Sequence, residues 1–210
     1  MPRIPSLMFL AAALFSASLH AQQLHPVREP DGQDTTAAAA KIYSNLGPPT
    51  SAYYGLGFWQ IYGPNNPYGG STQFVALGFT SGANAHVKQV RAAVLYIAGT
   101  NQINLSLYAD SNGIPGALLA GPVTVTNLPT YGSCCQLAIA NFPISVAITA
   151  GTQYWVVANT PSSGTGSDFF GTWNYVPLSK QVLSAYSPGG WTTSQAPIEE
   201  PAGAVYGTIP

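Results

Sequence analysis

The sequence predicts an all-β protein, a single antiparallel, jelly-roll-like β-sandwich behind an N-terminal signal peptide. Three observations predict it. Short apolar or alternating runs recur along the chain with the period-two pattern of half-buried strands. Gly and Pro clusters punctuate these runs; the chain has 22 Gly and 18 Pro in 210 residues. No helical or heptad period competes with them.

Residues 1–21 read as an export signal. Arg3 is the one positive residue, 7–15 form an apolar stretch, and Ser18-Leu19-His20-Ala21 ends on a small side chain. The apolar run is well short of the ~20 residues a spanning helix needs, so cleavage is expected and no transmembrane anchor remains. No Cys follows the signal, which excludes a lipid anchor. Residues 22–41 carry Gln, Pro, Gly, Asp and an Ala run, and read as a flexible lead. The sandwich domain is expected over 42–210.

Within it, 42–46 is a first strand ended by Gly47-Pro48-Pro49, and the aromatic run 54–62 is a second, ended by Gly63-Pro64-Asn65-Asn66-Pro67. Strands follow at 72–80 and at 86–98, the latter with one irregularity. The sequence LSLYADSNGIPGALL is the clearest hairpin. Its strands 103–110 and 117–125 flank Asp110-Ser111-Asn112-Gly113, where Asp and Asn bond their own backbone and Gly accepts positive φ. Further strands are expected at 136–142, 145–148, 153–158, 169–175, 181–186 and 204–208, with Gly189-Gly190-Trp191 at a turn.

Charge is sparse. With Arg3 removed, five Lys+Arg face seven Asp+Glu, a net of −2 with His neutral. The sequence has no basic cluster, so nucleic acid is not an expected partner. The surface must be covered by Ser, Thr, Asn, Gln, Gly and Tyr, which suits contact with neutral polymers outside the cell.

The two cysteines, Cys134 and Cys135, are adjacent. Export permits oxidation, and the options are a vicinal disulfide, an intermolecular bridge or two free thiols. The preceding Tyr131-Gly132-Ser133 supplies turn residues for a vicinal bridge.

Candidate chemistry is thin. Asp110 and Asn112 place oxygen ligands on a turn, as a calcium loop does, but lack the distal bidentate Glu; a hairpin turn explains them more simply. A structural calcium is the one cofactor to consider. A glycosidase needs two carboxylates ~5–10 Å apart across a sugar. Asp110, Asp168, Glu199 and Glu200 are the domain's acids, and no spacing pairs them; Glu199-Glu200 before Pro201 reads as a solvated loop. There is no G-x-S-x-G elbow, and His86 is the domain's one histidine, so neither nucleophilic catalysis nor a zinc site is expected. The aromatics are the remaining signal. Trp155 reads as core. Trp59 with Tyr62, Trp173 with Tyr175, and Trp191 sit near turns, where flat faces could stack on sugar rings. Trp191 is the first choice among them.

The set KIYSNLGPP, FVALGFTSGANAHVKQVRAAVLY, LSLYADSNGIPGALL, NLPTYGSCC and GTQYWVVA resembles the bacterial choice-of-anchor R domain over nearly all of 42–208. The resemblance implies an exported bacterial β-sandwich whose relatives often carry C-terminal surface-sorting tails; it supplies no catalytic residues. The chain ends at Pro210 without an apolar helix and basic end, so free secretion is expected. The functional expectation is a secreted, non-enzymatic binding or adhesion module, for polysaccharide or another surface protein. Self-association as an extracellular matrix or surface-layer component is the second reading. A hydrolase with an unrecognised carboxylate pair is the third.

Overall fold

Alternating side chains become strand wherever turn residues let the chain reverse, and nearly every run in this sequence does so. The computed structural model describes residues 39–56, 58–176, 183–187, 190–194 and 199–210. The signal peptide and nearly all of the lead lie outside them. Fourteen strands run through the described residues: β1 (Ala40–Ser44), β2 (Phe58–Tyr62), β3 (Phe74–Thr80), β4 (Ala85–Ala92), β5 (Val94–Ala98), β6 (Gln102–Ser111), β7 (Ile114–Thr126), β8 (Ala138–Ile148), β9 (Gln153–Asn159), β10 (Phe170–Val176), β11 (Leu183–Ser187), β12 (Gly190–Ser194), β13 (Glu200–Pro201) and β14 (Gly203–Thr208). One turn of 3-10 helix, Pro49–Ser51, is the only helical element among them. No helix of the described residues is long and apolar enough to cross a membrane.

The strands form antiparallel sheets. Sheet A has the order β1-β14-β4-β8, and sheet C the order β12-β11-β3-β9-β6-β7. In the smaller sheet B, β10 pairs with β2, β5 and β13. Val87, Val90 and Val205 of sheet A share one core with Val75, Leu77, Phe79 and Val156 of sheet C and with Ile61 and Trp173 of sheet B. Each such side chain taken fully out of water contributes about 1.5–3 kcal/mol. The all-β sandwich read from the sequence is the observed architecture.

Two chain segments turn a corner from sheet A into sheet B. The run 86–98 breaks at Ala93 into β4 and β5, and Ala202 separates β13 from β14 in the same way. Asn174 of β10 meets both: its N–H donates to Ala93 O (2.9 Å), Ala93 N–H to Ala202 O (3.0 Å), and Ala202 N–H to Asn174 O (2.8 Å). All three residues are fully buried. The backbone groups must find partners inside the protein, and this closed ring supplies them.

Several boundaries differ from the sequence reading. β1 begins at Ala40, inside the expected lead. The 54–62 run is strand only from Phe58, because Ala52 to Leu56 are held as a loop: Ala52 N–H donates to Cys135 Sγ (3.2 Å), Tyr53 Oη–H to Gln136 O (2.8 Å) and Tyr131 Oη–H to Leu56 O (3.2 Å). Cys134 and Cys135 are bonded to each other in that loop contact. The central hairpin turns on two residues, with Ser111 paired to Ile114 and positive φ at Asn112 (55°) and Gly113 (82°). These are the values a type I′ turn needs, so the strands extend closer to the turn than expected. β8 runs through Pro143 because it is an edge strand of sheet A, where a missing N–H costs no ladder bond. Trp191, expected at a turn, lies within β12, paired with Tyr186.

Ala93→Leu is expected to destabilise the fold by about 1–3 kcal/mol through overpacking at the corner. Urea unfolding of the parent and the variant measures it.

Candidate functional site

Sheet C has two faces, and only one belongs to the main core. On β9, Tyr154, Val156 and Ala158 point into that core, while Trp155 and Val157 point the other way. Val157 lies between Ala76 on β3 and Ser106 on β6, and Trp155 between Gly78 and Tyr108. Ala76, Trp155 and Val157 form a second, small apolar cluster, with Tyr108 and Trp191 packed over it. The sheet curls about this face: β12 and β7, at its opposite edges, approach one another. The half-buried rings of Trp191 and Tyr108 cover Trp155, which is fully buried beneath them.

Polar groups line the same face. Even-numbered residues of β6 put Asn104, Ser106, Tyr108 and Asp110 there, opposite the core-facing Ile103, Leu105 and Leu107. Asn159 pairs with Asn104, and Asn104 with Thr124, whose Oγ1 donates to Asn104 Oδ1 (2.9 Å). Asp110 closes one end. Its Oδ1 accepts Trp155 Nε1–H (2.8 Å) and Gln153 Nε2–H (2.9 Å), and its Oδ2 accepts the N–H of Gly113 (3.1 Å). Ser106 Oγ and Asn159 Oδ1 are buried without a partner. Unpartnered polar oxygens out of water are costly to the fold. Burial pushes the Tyr108 phenol up, keeping it a neutral donor. Aromatic faces beside neutral hydrogen-bonding groups are the chemistry that receives a sugar ring.

Of the aromatic residues singled out in the sequence, only Trp191 lies on this face. Trp173 is 0% exposed and donates Nε1–H to Ala202 O (2.8 Å), so its ring cannot meet a ligand. Its position near a turn misled because β10 is the central strand of sheet B, buried in the core. Trp59 lies opposite Trp173, packs on the main core and donates Nε1–H to Glu199 O (2.9 Å). Tyr62 stacks on Phe170 (6.0 Å), which also meets the exposed Tyr68 edge-on (4.8 Å). Tyr175 packs beside Tyr54 (5.8 Å). The five do not form one platform. Asn104, Ser106, Tyr108 and Asn159 were missed, although the alternation of polar and apolar residues along 103–110 carries the first three; Asn159 joins only through strand pairing.

The oxygen ligands considered for calcium are committed to the hairpin. Asp110 accepts three N–H bonds, and Asn112 supplies the left-handed turn residue. Among the described residues no group of three His, Cys, Asp or Glu side chains gathers at a metal-binding spacing.

The other acids go separate ways. Asp168 Oδ2 accepts the N–H and Oγ1–H of Thr100 (both 3.1 Å). Glu199 is exposed. Glu200, expected in a solvated loop, is 2% exposed in β13 and accepts the Tyr43 hydroxyl at 2.7 Å. Pairing with Val176 draws it inward. Burial pushes its carboxyl above the ordinary 4.5, against hydrogen bonds from Tyr43 and Asn45 that lower it. Burial and then the Glu200 charge push the Tyr43 phenol up. A hollow of about 320 Å³, mostly apolar, lies beside this pair between Asn45, Leu46, Pro48, Tyr53, Tyr54 and Val176.

No protein-family model and no curated protein matches the chain.

Asp110→Ala leaves the indole N–H of buried Trp155 without its acceptor, and is expected to cost about 1–3 kcal/mol in thermal or urea unfolding. Glu200 sets a pH dependence. Its folded pKa is raised, so between the ordinary value and the raised one the folded state holds the extra proton, and stability falls as pH rises through that window. Glu200→Gln is expected to remove this slope, measured as unfolding free energy from pH 4 upward.

Proposed function

We propose that the chain is a secreted, non-enzymatic β-sandwich that binds neutral polysaccharide at the cell exterior through the face of sheet C that carries Trp191, Tyr108 and Asn104. The observation that carries this reading is the pairing of Trp191 and Tyr108 with Asn104, Asn159 and Ser106 on one curled face. Sugars offer an apolar ring face and many hydroxyls, and bind where an aromatic surface sits beside fixed neutral acceptors. Asp110 acts as a positioning residue, fixing the Trp155 indole beneath the rings of Trp191 and Tyr108.

Export supports the same reading: the leader over 1–21 would deliver the chain to the exterior, and a surface with few charges meets neutral polymers without electrostatic cost. The resemblance to the choice-of-anchor R domain, which implies an exported bacterial sandwich, points the same way.

Binding to a broad array of neutral polysaccharides tests the proposal. Trp191→Ala and Asn104→Ala are each expected to weaken the interaction about three- to tenfold, as the loss of one stacked ring or one hydrogen bond does. A folded parent protein that binds nothing on the array, or variants that bind as the parent does, would overturn it.

A further inference from the structure

The lysine and arginine residues of the described chain, Lys41, Lys88 and Arg91, gather on one face, the outward side of sheet A. Strand pairing puts them there. Lys41 on β1 lies opposite Tyr206 on β14, Tyr206 opposite Gln89 on β4, and Gln89 opposite Asn141 on β8. Neighbouring Val90 and Val205 point into the core, so this row points out. Arg91 is two residues from Gln89 on the same strand and the same face, and Lys88 is exposed at the irregularity between Val87 and Gln89. His86, also exposed, continues the face opposite Thr208.

The face is built. The Arg91 guanidinium lies 4.4 Å above the Tyr206 ring, and its Nε–H donates to Gln89 Oε1 (2.6 Å). Gln89 Nε2–H in turn donates to Asn141 Oδ1 (2.7 Å). These contacts hold a long cationic side chain flat against the sheet. The acids of the described chain are elsewhere: Asp110 at the central hairpin, Asp168 on Thr100, and Glu199 and Glu200 in and beside β13. In a protein so poor in charge, three cations on one face, with no acid beside them among the described residues, form a pattern.

We propose that this face binds an anionic polysaccharide carrying sugar carboxylates. Neighbouring strands lie ~4.8 Å apart, so Lys41 on β1 and the cations on β4 are about 10 Å apart across the sheet. Neutral Tyr206 and Gln89 lie between them. A chain of uronic acids presents carboxylates at intervals with hydroxyls between, and matches this sparse spacing. Nucleic acid fits less well: duplex DNA carries a charge every ~1.7 Å, and its affinity comes from many simultaneous phosphate contacts. This face is separate from the Trp191 face of sheet C, because the two sheets share the core and turn their other sides away from each other.

Affinity electrophoresis of the full chain through gels containing polygalacturonate tests the proposal. Retardation is expected at low salt and should disappear near 0.5 M salt, where charges are screened within a few ångströms. Lys41→Gln with Lys88→Gln is expected to weaken retention about three- to tenfold, from two exposed charge contacts. Lys41→Arg with Lys88→Arg should restore it. No retardation of the parent, equal retention of the Gln variant with an unchanged melting temperature, or tighter binding to single-stranded DNA or anionic vesicles than to polygalacturonate would overturn the proposal.

Discussion

The fold depends on a ring of three backbone hydrogen bonds among Ala93, Asn174 and Ala202. A flat sheet could not both pack on sheet C and fold over to enclose the core; the chain must leave one sheet and enter another. It does so twice, side by side, at two alanines. Each N–H and C=O exposed by the bend would be stranded in the interior, and the ring pairs them in a cycle. Ala202 O also accepts the Trp173 indole, so the largest fully buried side chain of sheet B is oriented by the same corner. Both alanines are fully buried, which leaves little room for a larger residue.

The strands were legible because their signals are local. Apolar alternation and Gly or Pro punctuation mark residues 72–80, 103–110 and 153–158, and the structure places strands over each. The corner was legible only as an irregularity in 86–98, since nothing in Ala93 says that its hydrogen bonds turn into another sheet. The start of β2 was misjudged because Tyr54 reads as the start of an aromatic strand, while Ala52, Tyr53 and Leu56 are held by distant partners at residues 131–136 and the Tyr54 N–H by Tyr175 O.

The candidate site was half legible. Trp191 stood out by composition, but its companions did not. Asn104, Ser106 and Tyr108 become a face only when β6 is read at period two beside β9, and Asn159 joins them through a pairing 55 residues away. Trp173 shows the converse: a tryptophan near a turn, in a strand that proves central, is fully enclosed. The cations at 41, 88 and 91 are scattered in the chain. Their gathering is a property of the order β1-β14-β4, which no local pattern encodes.

The curl of sheet C also changes what the sheet offers its neighbours in solution. An open six-stranded sheet would present two rows of unpaired N–H and C=O groups, and unprotected edges of this kind zip onto other copies and precipitate. Many proteins guard such edges with lysine, which this chain can seldom spare. Bringing β7 and β12 toward one another turns both rows inward by shape rather than by charge. Burial of Trp155 beneath Trp191 and Tyr108 and the protection of the sheet's edges are then two results of the same curvature.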